Sequence, residues 1–142
     1  MDLIYTLDQT EEIAVQLVQQ FATKPVWVFQ APMGAGKTTL IAAIGKAMGI
    51  REAMSSPTFS IMNEYEVQGK LVYHMDWYRL ESAAEARHAG VEAAMEEADM
   101  SLVEWPEKAP NLVPDNAVVI HIEILDPNRR RIHINHELAS LH

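Results

Sequence analysis

The feature that most constrains the fold of this chain is a glycine-rich segment between an apolar run and a helix-like run. Residues 31–38 read Ala-Pro-Met-Gly-Ala-Gly-Lys-Thr, and the last three match the phosphate-binding loop pattern. The apolar run Val26–Phe29 precedes this segment, and residues 38–48 follow it with the composition of a helix. A strand, a phosphate-binding loop and a helix in this order predict an α/β protein, namely a small P-loop NTPase fold with a mixed β-sheet flanked by helices.

The residue types in this loop suit the binding of nucleotide phosphates. Glycine lets backbone N–H groups turn inward around phosphate oxygens, and the positive end of the following helix favours the same anion. The residues expected to bind ATP are Gly34, Ala35, Gly36, Lys37, Thr38 and Thr39. Among them, Lys37 would reach the β- and γ-phosphates, and the Thr38 hydroxyl would hold Mg²⁺. The alternative interpretation of this segment is an ordinary glycine-rich turn with a solvated lysine.

Composition narrows the class of protein. A chain of 142 residues fits one domain, so we expect residues 1–142 to form a single P-loop ATPase domain. It has no cysteine, which excludes disulfides, thiolate nucleophiles and cysteine-based metal sites. No apolar run approaches the roughly 18 residues of a membrane span, and the first residues do not resemble a secretion signal. We therefore expect a cytoplasmic protein with no membrane partner.

The chain is acidic, with 11 basic and 20 acidic residues and a formal net charge of −9. A negative surface repels a phosphate backbone, so direct binding of DNA or RNA is disfavoured. A nucleotide can still bind, because Mg²⁺, Lys37 and backbone N–H groups supply local positive potential. The one basic run, Arg129–Arg131, either contacts a nucleotide or an acidic partner, or forms a solvated edge.

The N-terminal part of the chain reads as helices around the first predicted strand. Apolar residues recur at helical spacing from Thr10 to Phe21, and Asp8 with Glu11 suggests a capping box at the start of this helix. The helix after the phosphate-binding loop is predicted to end at Met48, with Gly49 as its left-handed cap.

The remainder is predicted to be rich in strands. Residues 59–67 and 70–75 flank Gln68-Gly69 in the manner of an antiparallel hairpin. Ser82 with Glu85 predicts a second capped helix. Further strands are predicted at residues 101–103, 117–125 and 131–135, the last two as an antiparallel pair. Strands that alternate with helices early and dominate late favour a mixed sheet with helices on its faces.

Two carboxylates at predicted strand ends are candidates for a role beside Mg²⁺. Phosphoryl transfer needs a carboxylate near the metal, usually at the end of an apolar strand beside the phosphate-binding loop. Asp76 and Glu104 each end such a strand, and the alternative for each is a solvated loop carboxylate. His74 would share a strand face with Asp76. It is either part of a His/Asp metal pair or a strand histidine with a hydrogen-bond partner.

Three other groups of residues have both a functional and a structural interpretation. The hydroxyl-bearing loop at residues 55–59 is either a switch segment that senses the γ-phosphate or an ordinary proline-fixed turn. Arg79 is either a charge-stabilising finger or a surface arginine. Trp27, Trp77 and Trp105 are interpreted as core or interface anchors and not as base-stacking platforms.

Taken together, these segments resemble the bacterial TsaE (YjeE) ATPases of tRNA threonylcarbamoyladenosine biosynthesis. The blocks that match this family in order are residues 34–39 (Gly-Ala-Gly-Lys-Thr-Thr), 56–59 (Ser-Pro-Thr-Phe), 74–79 (His-Met-Asp-Trp-Tyr-Arg) and 103–106 (Val-Glu-Trp-Pro). The last three blocks are unusual among phosphate-loop proteins, so their combination is specific. The resemblance runs from about Thr10 to Pro114 and is weak beyond.

The resemblance implies that ATP and Mg²⁺ bind to a small α/β phosphate-loop fold. In such proteins the residues that match Thr38 and Glu104 hold the metal, and the residue that matches Asp76 is needed for hydrolysis. The residue that matches Thr10 lies near the adenine, and the loop that matches residues 56–59 behaves as a switch. Family members act with TsaB and TsaD, which modify the tRNA adenosine beside the anticodon. The tRNA is therefore contacted only through these partners.

We therefore expect an ATPase of low intrinsic activity that its partners stimulate, with Lys37, Asp76 and Glu104 as catalytic residues. The departure from the family is at residues 31–33, where Ala-Pro-Met replaces the usual Gly-Asp-Leu. Pro32 removes one backbone N–H and fixes φ, which bears on affinity for phosphate. Two other functions are compatible with the loop: a small-molecule kinase, and a nucleotide-gated assembly module that does not hydrolyse ATP.

Overall fold

The computed structural model describes residues 1–55, 57 and 61–135, so Ser56, Thr58 and Phe59 of the predicted switch loop lie outside the described residues. Within the described chain, one mixed sheet is flanked by helices, which confirms the α/β prediction. Its strands are β1 (Asp2–Thr6), β2 (Val26–Gln30), β3 (Met62–Val67), β4 (Lys70–Asp76), β5 (Met100–Glu104), β6 (Val118–Asp126) and β7 (Arg129–Asn135). In space the strands follow the order β1-β7-β6-β2-β5-β4-β3.

The helices of the described chain connect these strands. They are α1 (Thr10–Phe21), α2 (Lys37–Met48), α3 (Ala83–His88) and α4 (Val91–Glu97), with short 3₁₀ turns at Leu7–Gln9, Pro106–Lys108 and Pro110–Leu112. Among the described residues, no helix combines the length and the apolar character that crossing a bilayer requires.

Strand β2 occupies the centre of the sheet. All five of its residues are buried, and it pairs in parallel with β5 on one side and with β6 on the other. A strand covered on both faces is apolar throughout, which is why Val26–Phe29 has no polar alternation. Because parallel strands end at the same edge, the carboxyl ends of β2 and β5 lie side by side, with Phe29 opposite Glu104.

Apolar side chains pack on both faces of β2. Trp27 and Phe29 belong to one cluster, which includes Leu17 of α1. Val28 belongs to the other cluster, which includes Trp77. Alternate residues of a strand point to opposite faces, so one short strand supports both layers. Trp27 and Trp77 are fully buried, which confirms their interpretation as core residues.

The predicted start of α1 at Thr10 is confirmed, but the predicted capping box of Asp8 and Glu11 is wrong. The 3₁₀ turn at Leu7–Gln9 leads directly into the helix, and α1 has no side-chain cap. The Thr10 hydroxyl instead donates to the carbonyl of Leu7 at 2.6 Å. Because the chain is already helical when it reaches Thr10, the helix does not begin from an extended residue whose side chain could cap it.

The second predicted capped helix begins as expected but is divided in two. Ser82 Oγ accepts a hydrogen bond from the Glu85 N–H at 3.1 Å, and the Glu85 carboxylate accepts from the Glu81 N–H at 3.0 Å. Gly90 then adopts a left-handed conformation with φ of 83°, which ends α3 and allows α4 to begin in a new direction.

The two predicted hairpins are confirmed, and one strand was not predicted. Strands β3 and β4 pair antiparallel around residues 68–69, and β6 and β7 pair antiparallel around residues 127–128. Strand β7 begins at Arg129, two residues before the predicted start. The strand that the sequence did not reveal is β1, an edge strand that pairs antiparallel with β7.

The predicted left-handed cap of α2 is confirmed at Gly49, where φ is 103°. Its N–H donates to the Lys46 carbonyl at 3.1 Å, and the following N–H, of Ile50, donates to the Gly45 carbonyl at 2.9 Å. These bonds close the end of the helix whose first turn forms part of the phosphate-binding loop.

Replacing Gly49 by alanine tests this cap. We expect Gly49→Ala to lower the free energy of unfolding by about 1–2 kcal/mol, because an L side chain is strained in the left-handed region. The new Cβ would also lie 3.2 Å from Val67 Cγ2. Gly69→Ala is the control, since Gly69 also has positive φ but open space around it. Urea denaturation should show the larger loss for Gly49→Ala, and a variant as stable as the wild type would contradict this account.

Candidate functional site

The phosphate-binding loop connects the end of β2 to the start of α2. Gly34 and Gly36 both adopt the left-handed conformation, with φ of 79° and 87°. A Cβ built on either one meets no heavy atom within 4 Å, so glycine is needed here for the backbone conformation and not for space. The Leu40 N–H donates to the Gly36 carbonyl at 2.9 Å and so begins the helix.

The departure at residues 31–33 forms a turn of its own. The carbonyl of Pro32 accepts a hydrogen bond from the Ala35 N–H at 3.2 Å. Met33, at the tip of this turn, is exposed. In this conformation the Ala35 N–H is used in a hydrogen bond within the loop. The N–H groups of the residues that follow, at the N-terminus of α2, have no partner within the helix and are the donors left for a ligand.

The sequence-predicted phosphate and catalytic residues meet in one cleft of about 390 Å³. The loop residues that line it are Gly34, Ala35, Gly36, Lys37, Thr38 and Thr39. Asp76 and Glu104 line the opposite wall, because they end the parallel neighbours β4 and β5 and stand in register with each other. The fold therefore brings a phosphate-binding loop and two carboxylates to one edge of the sheet.

Glu104 is the more buried of the two carboxylates that line the cleft. Only 2% of it is exposed, yet both carboxylate oxygens have partners. Thr38 Oγ1 donates to one oxygen at 3.1 Å, and His74 Nε2 lies 2.8 Å from the other. A hydroxyl and a carboxylate placed together are hard oxygen donors of the kind that Mg²⁺ prefers. The donor set at Thr38 and Glu104 therefore fits this metal.

The interpretation of His74 as a strand histidine with a hydrogen-bond partner is confirmed. Its side chain is fully buried, and its Nε2 lies 2.8 Å from a Glu104 carboxylate oxygen. In the described chain, no group of three or more His, Cys, Asp or Glu side chains is placed to hold a metal ion. His74 thus acts on the site through Glu104, whose orientation it fixes.

Lys37 lies against an aromatic ring. Its Nζ is 3.6 Å from the ring centroid of Trp105, and this ring in turn packs against Tyr78 with centroids 5.0 Å apart. Burial lowers the pKa of Lys37, while the carboxylates of Glu104 and Asp76 oppose that shift. The cation–π contact keeps the ammonium at the wall of the cleft.

Trp105 holds this position through an unusual backbone conformation. Its φ is 58°, in the left-handed region that non-glycine residues rarely adopt. Pro106 follows it directly and begins a 3₁₀ turn. The abrupt turn after β5 places the indole over the phosphate-binding loop instead of letting it continue along the strand.

A family model described as threonylcarbamoyl adenosine biosynthesis protein TsaE matches residues 4–132. The chain belongs to the TsaE family. The four sequence blocks that suggested this family include the phosphate-binding loop and the segments that carry His74, Asp76 and Glu104. The family resemblance is therefore confirmed over a range of the chain that includes all four blocks.

Individual relatives support the same membership. A tRNA threonylcarbamoyladenosine biosynthesis protein TsaE from Synechocystis is 39% identical over 111 residues, which cover 75% of this chain and 69% of the relative. The protein of the same name from Aquifex aeolicus is 32% identical over 130 residues, which cover 89% of each chain. The crystal structure of Bacillus subtilis YdiB matches with a TM-score of 0.71 and 26% identity, over 93% of this chain and 83% of that chain.

In this TsaE-family chain, Thr10 does not line the cleft that contains Lys37, Thr38, Asp76 and Glu104. It lines a second groove of about 920 Å³, bounded by the start of α1 and by residues 49–54. Thr39 lines both the groove and the cleft, so the two openings meet at the start of α2. The Thr10 hydroxyl is engaged with the Leu7 carbonyl at 2.6 Å. Contact between Thr10 and adenine stays a prediction.

The arginines divide between surface and interior. Arg79 is exposed in the turn after β4. Arg129 forms an ion pair with Asp126 at 2.6 Å, which agrees with a solvated edge. Arg130, which was grouped with Arg129 in one basic run, is buried and donates to the Ala35 carbonyl of the phosphate-binding loop at 2.9 Å.

Sequence reasoning missed Trp105 and Arg130 as neighbours of the phosphate-binding loop. For Trp105 the signal was its place directly after Glu104 in a matching block, but no pattern predicts its left-handed backbone. For Arg130 the signal was strand alternation, which sends the central arginine of three to the opposite face from its neighbours.

Replacing His74 by leucine tests the link to Glu104. We expect His74→Leu to lower the free energy of unfolding by about 1.5–3 kcal/mol, because a buried carboxylate loses a charge-assisted hydrogen bond. The control is His133→Leu, since the His133 side chain is 49% exposed. That change should stay within about 0.5 kcal/mol. A loss for His74→Leu that also stays within about 0.5 kcal/mol in urea denaturation would contradict this account.

Proposed function

We propose that this chain is a Mg²⁺-dependent ATP-binding and ATP-hydrolysing subunit that supports threonylcarbamoyl modification of the tRNA adenosine beside the anticodon, together with TsaB and TsaD. Membership of the TsaE family assigns the chain to tRNA threonylcarbamoyladenosine biosynthesis. The observation that carries the ATPase proposal is the single cleft in which Lys37, Thr38, Asp76 and Glu104 meet.

Phosphate binding is assigned to the loop and to the helix that follows it. The N–H groups at the start of α2 point out of the helix, and its dipole adds positive potential at the same place. Lys37, the first residue of α2, supplies a full positive charge in the cleft, and only 7% of it is exposed. In a cleft with little water, its attraction for a phosphate is stronger than at an open surface.

Metal binding is assigned to Thr38 and Glu104. Their oxygens are already within hydrogen-bond distance, at 3.1 Å, so both are placed at one point of the cleft. When bound, Mg²⁺ would neutralise charge on the β- and γ-phosphates. The bond from His74 restrains the Glu104 carboxylate, which reduces the motion that would be lost on binding.

Asp76 is assigned to ordering the water that attacks the terminal phosphate, or a water bound to the metal. It stands beside Glu104 in the parallel register of β4 and β5. Its Oδ1 accepts the N–H of Tyr78 at 3.0 Å, which fixes the side chain at the mouth of the cleft. A carboxylate held at this point can accept a proton from water or orient it.

Low activity in isolation is part of the proposal. The arginine candidate for a charge-stabilising finger, Arg79, is exposed in this structure and does not line the cleft. Groups supplied by a partner accelerate other phosphate-loop enzymes by about 10³–10⁵-fold. The net charge of −9 agrees with a subunit that leaves tRNA binding to its partners.

Phosphate release tests the proposal as a whole. The purified chain is incubated with Mg–ATP, with and without TsaB and TsaD, and Lys37→Ala is assayed beside it. We expect slow release alone, strong stimulation by the partners, and no stimulated release from the variant. Phosphate passed to a metabolite would favour a kinase instead. Partner binding that survives without any hydrolysis would favour a nucleotide-gated assembly module.

A metal titration tests the assignment of Thr38 and Glu104. Thr38→Ala and Glu104→Gln should each raise the Mg²⁺ concentration for half-maximal phosphate release by roughly ten-fold or more, because each removes an oxygen ligand or its charge. Thr23→Ala is the control, since it removes an exposed threonine hydroxyl that does not line the cleft. A titration midpoint unchanged in Thr38→Ala and Glu104→Gln would contradict the assignment.

A further inference from the structure

We propose that Arg130 is a positioning residue of the phosphate-binding loop, and that it holds the Ala35–Gly36 peptide with the Gly36 N–H directed toward bound phosphate. The inference rests on the proposed nucleotide-binding function and assigns a role to a strand residue far from the loop in sequence. Arg130 lies on β7, and 95 positions separate it from Ala35.

The contacts of Arg130 differ from those of an ordinary charged side chain. It is only 6% exposed. Its Nε donates to the Ala35 carbonyl at 2.9 Å, and its Nη1 donates to the carbonyls of Asp126 at 2.7 Å and Arg129 at 3.0 Å. All three acceptors are backbone oxygens, one in the phosphate-binding loop and two where β6 ends and β7 begins. The guanidinium therefore ties the phosphate-binding loop to the β6–β7 turn, which comprises residues 126–129.

The neighbouring arginines show that this arrangement is specific to one position. Arg129 pairs with the Asp126 carboxylate at 2.6 Å, and Arg131 Nε donates to Asp2 at 2.9 Å. Both side chains are about half exposed. Among the ion pairs of the described residues, none involves Arg130. A buried cation without a carboxylate is unfavourable unless its hydrogen bonds compensate, so the contacts to the turns determine its position.

The geometry of the peptide bond links the contact between Arg130 and the Ala35 carbonyl to the direction of the Gly36 N–H. The Ala35 carbonyl and the Gly36 N–H belong to one peptide unit, and the described chain contains no cis peptide bond. In a trans peptide the C=O and the N–H point in opposite directions. Since the carbonyl faces the buried guanidinium of Arg130, the Gly36 N–H faces the other way, toward the cleft that Gly36 lines. A cationic donor on the carbonyl also polarises the peptide and strengthens the N–H as a donor.

The same turn also reaches the second groove. The Asn128 carbonyl accepts a hydrogen bond from the Leu7 N–H at 3.0 Å, and the Leu7 carbonyl in turn accepts from the Thr10 hydroxyl. The β6–β7 turn is thus fastened to the phosphate-binding loop by Arg130 and to the start of α1 by Asn128. Loss of the Arg130 contact should disturb the phosphate end of a bound nucleotide while the Asn128 contact preserves the other end.

Binding of Mg–ADP and of AMP by calorimetry tests the inference. The variants are Arg130→Gln and Arg130→Lys, with Arg131→Gln as a control of equal charge change on an exposed site. We expect Arg130→Gln to weaken Mg–ADP binding by roughly ten- to hundred-fold and AMP binding much less, because only ADP carries the phosphate that the Gly36 N–H contacts. Arg130→Lys keeps the charge and one donor, so its loss should be smaller. Arg131→Gln should bind as the wild type does.

The ratio of the two affinities separates positioning from a merely structural role. A folded Arg130→Gln variant that loses affinity for Mg–ADP and for AMP by the same factor would keep the wild-type ratio of the two affinities. That result would overturn the inference. If Arg130→Gln does not fold, the ratio measured for Arg130→Lys decides in the same way. A wild-type chain that binds no Mg–ADP would instead overturn the proposed function, and the inference with it.

Discussion

The burial of β2 between two parallel neighbours is the constraint on which the rest of the structure depends. Every residue of this strand is covered, so its direction and register relative to β5 and β6 are fixed by the packing of both apolar layers. Because β5 is parallel to β2, Glu104 emerges opposite Phe29, at the edge where the phosphate-binding loop begins. Core packing thereby sets the distance between loop and carboxylate, and no flexible segment has to bring them together.

A second consequence of this arrangement is electrostatic. The chain is strongly acidic overall, yet it buries one cation on each side of the phosphate-binding loop. Lys37 lies in the cleft against the Trp105 ring, and Arg130 lies behind the loop against the Ala35 carbonyl. Buried charges interact strongly because little water screens them. Under the proposed function, these two cations would offset the negative charge of the chain where the nucleotide phosphates bind.

Much of the fold and of the candidate site could be predicted from sequence, for physical reasons that differ between elements. The continuous apolar run of β2 and the glycines after it identify a strand and loop directly, and Glu104 was found because it ends an apolar strand. Strand β1 (Asp2–Thr6) was missed because it is short and only partly buried. Its strand conformation depends on its antiparallel pairing with β7, which lies at the other end of the sequence. The contacts of Arg130 and Trp105 depend on long-range packing, which local patterns do not encode.

A crystal structure of the chain with Mg²⁺ and a non-hydrolysable ATP analogue tests the central claim most directly. The account predicts phosphate oxygens at the N–H groups of the loop, metal ligation by Thr38 and Glu104, and Lys37 Nζ displaced from the Trp105 ring onto the phosphates. Phosphates bound away from the loop, for instance in the larger groove, or Lys37 still resting on Trp105 without touching the nucleotide, would contradict it.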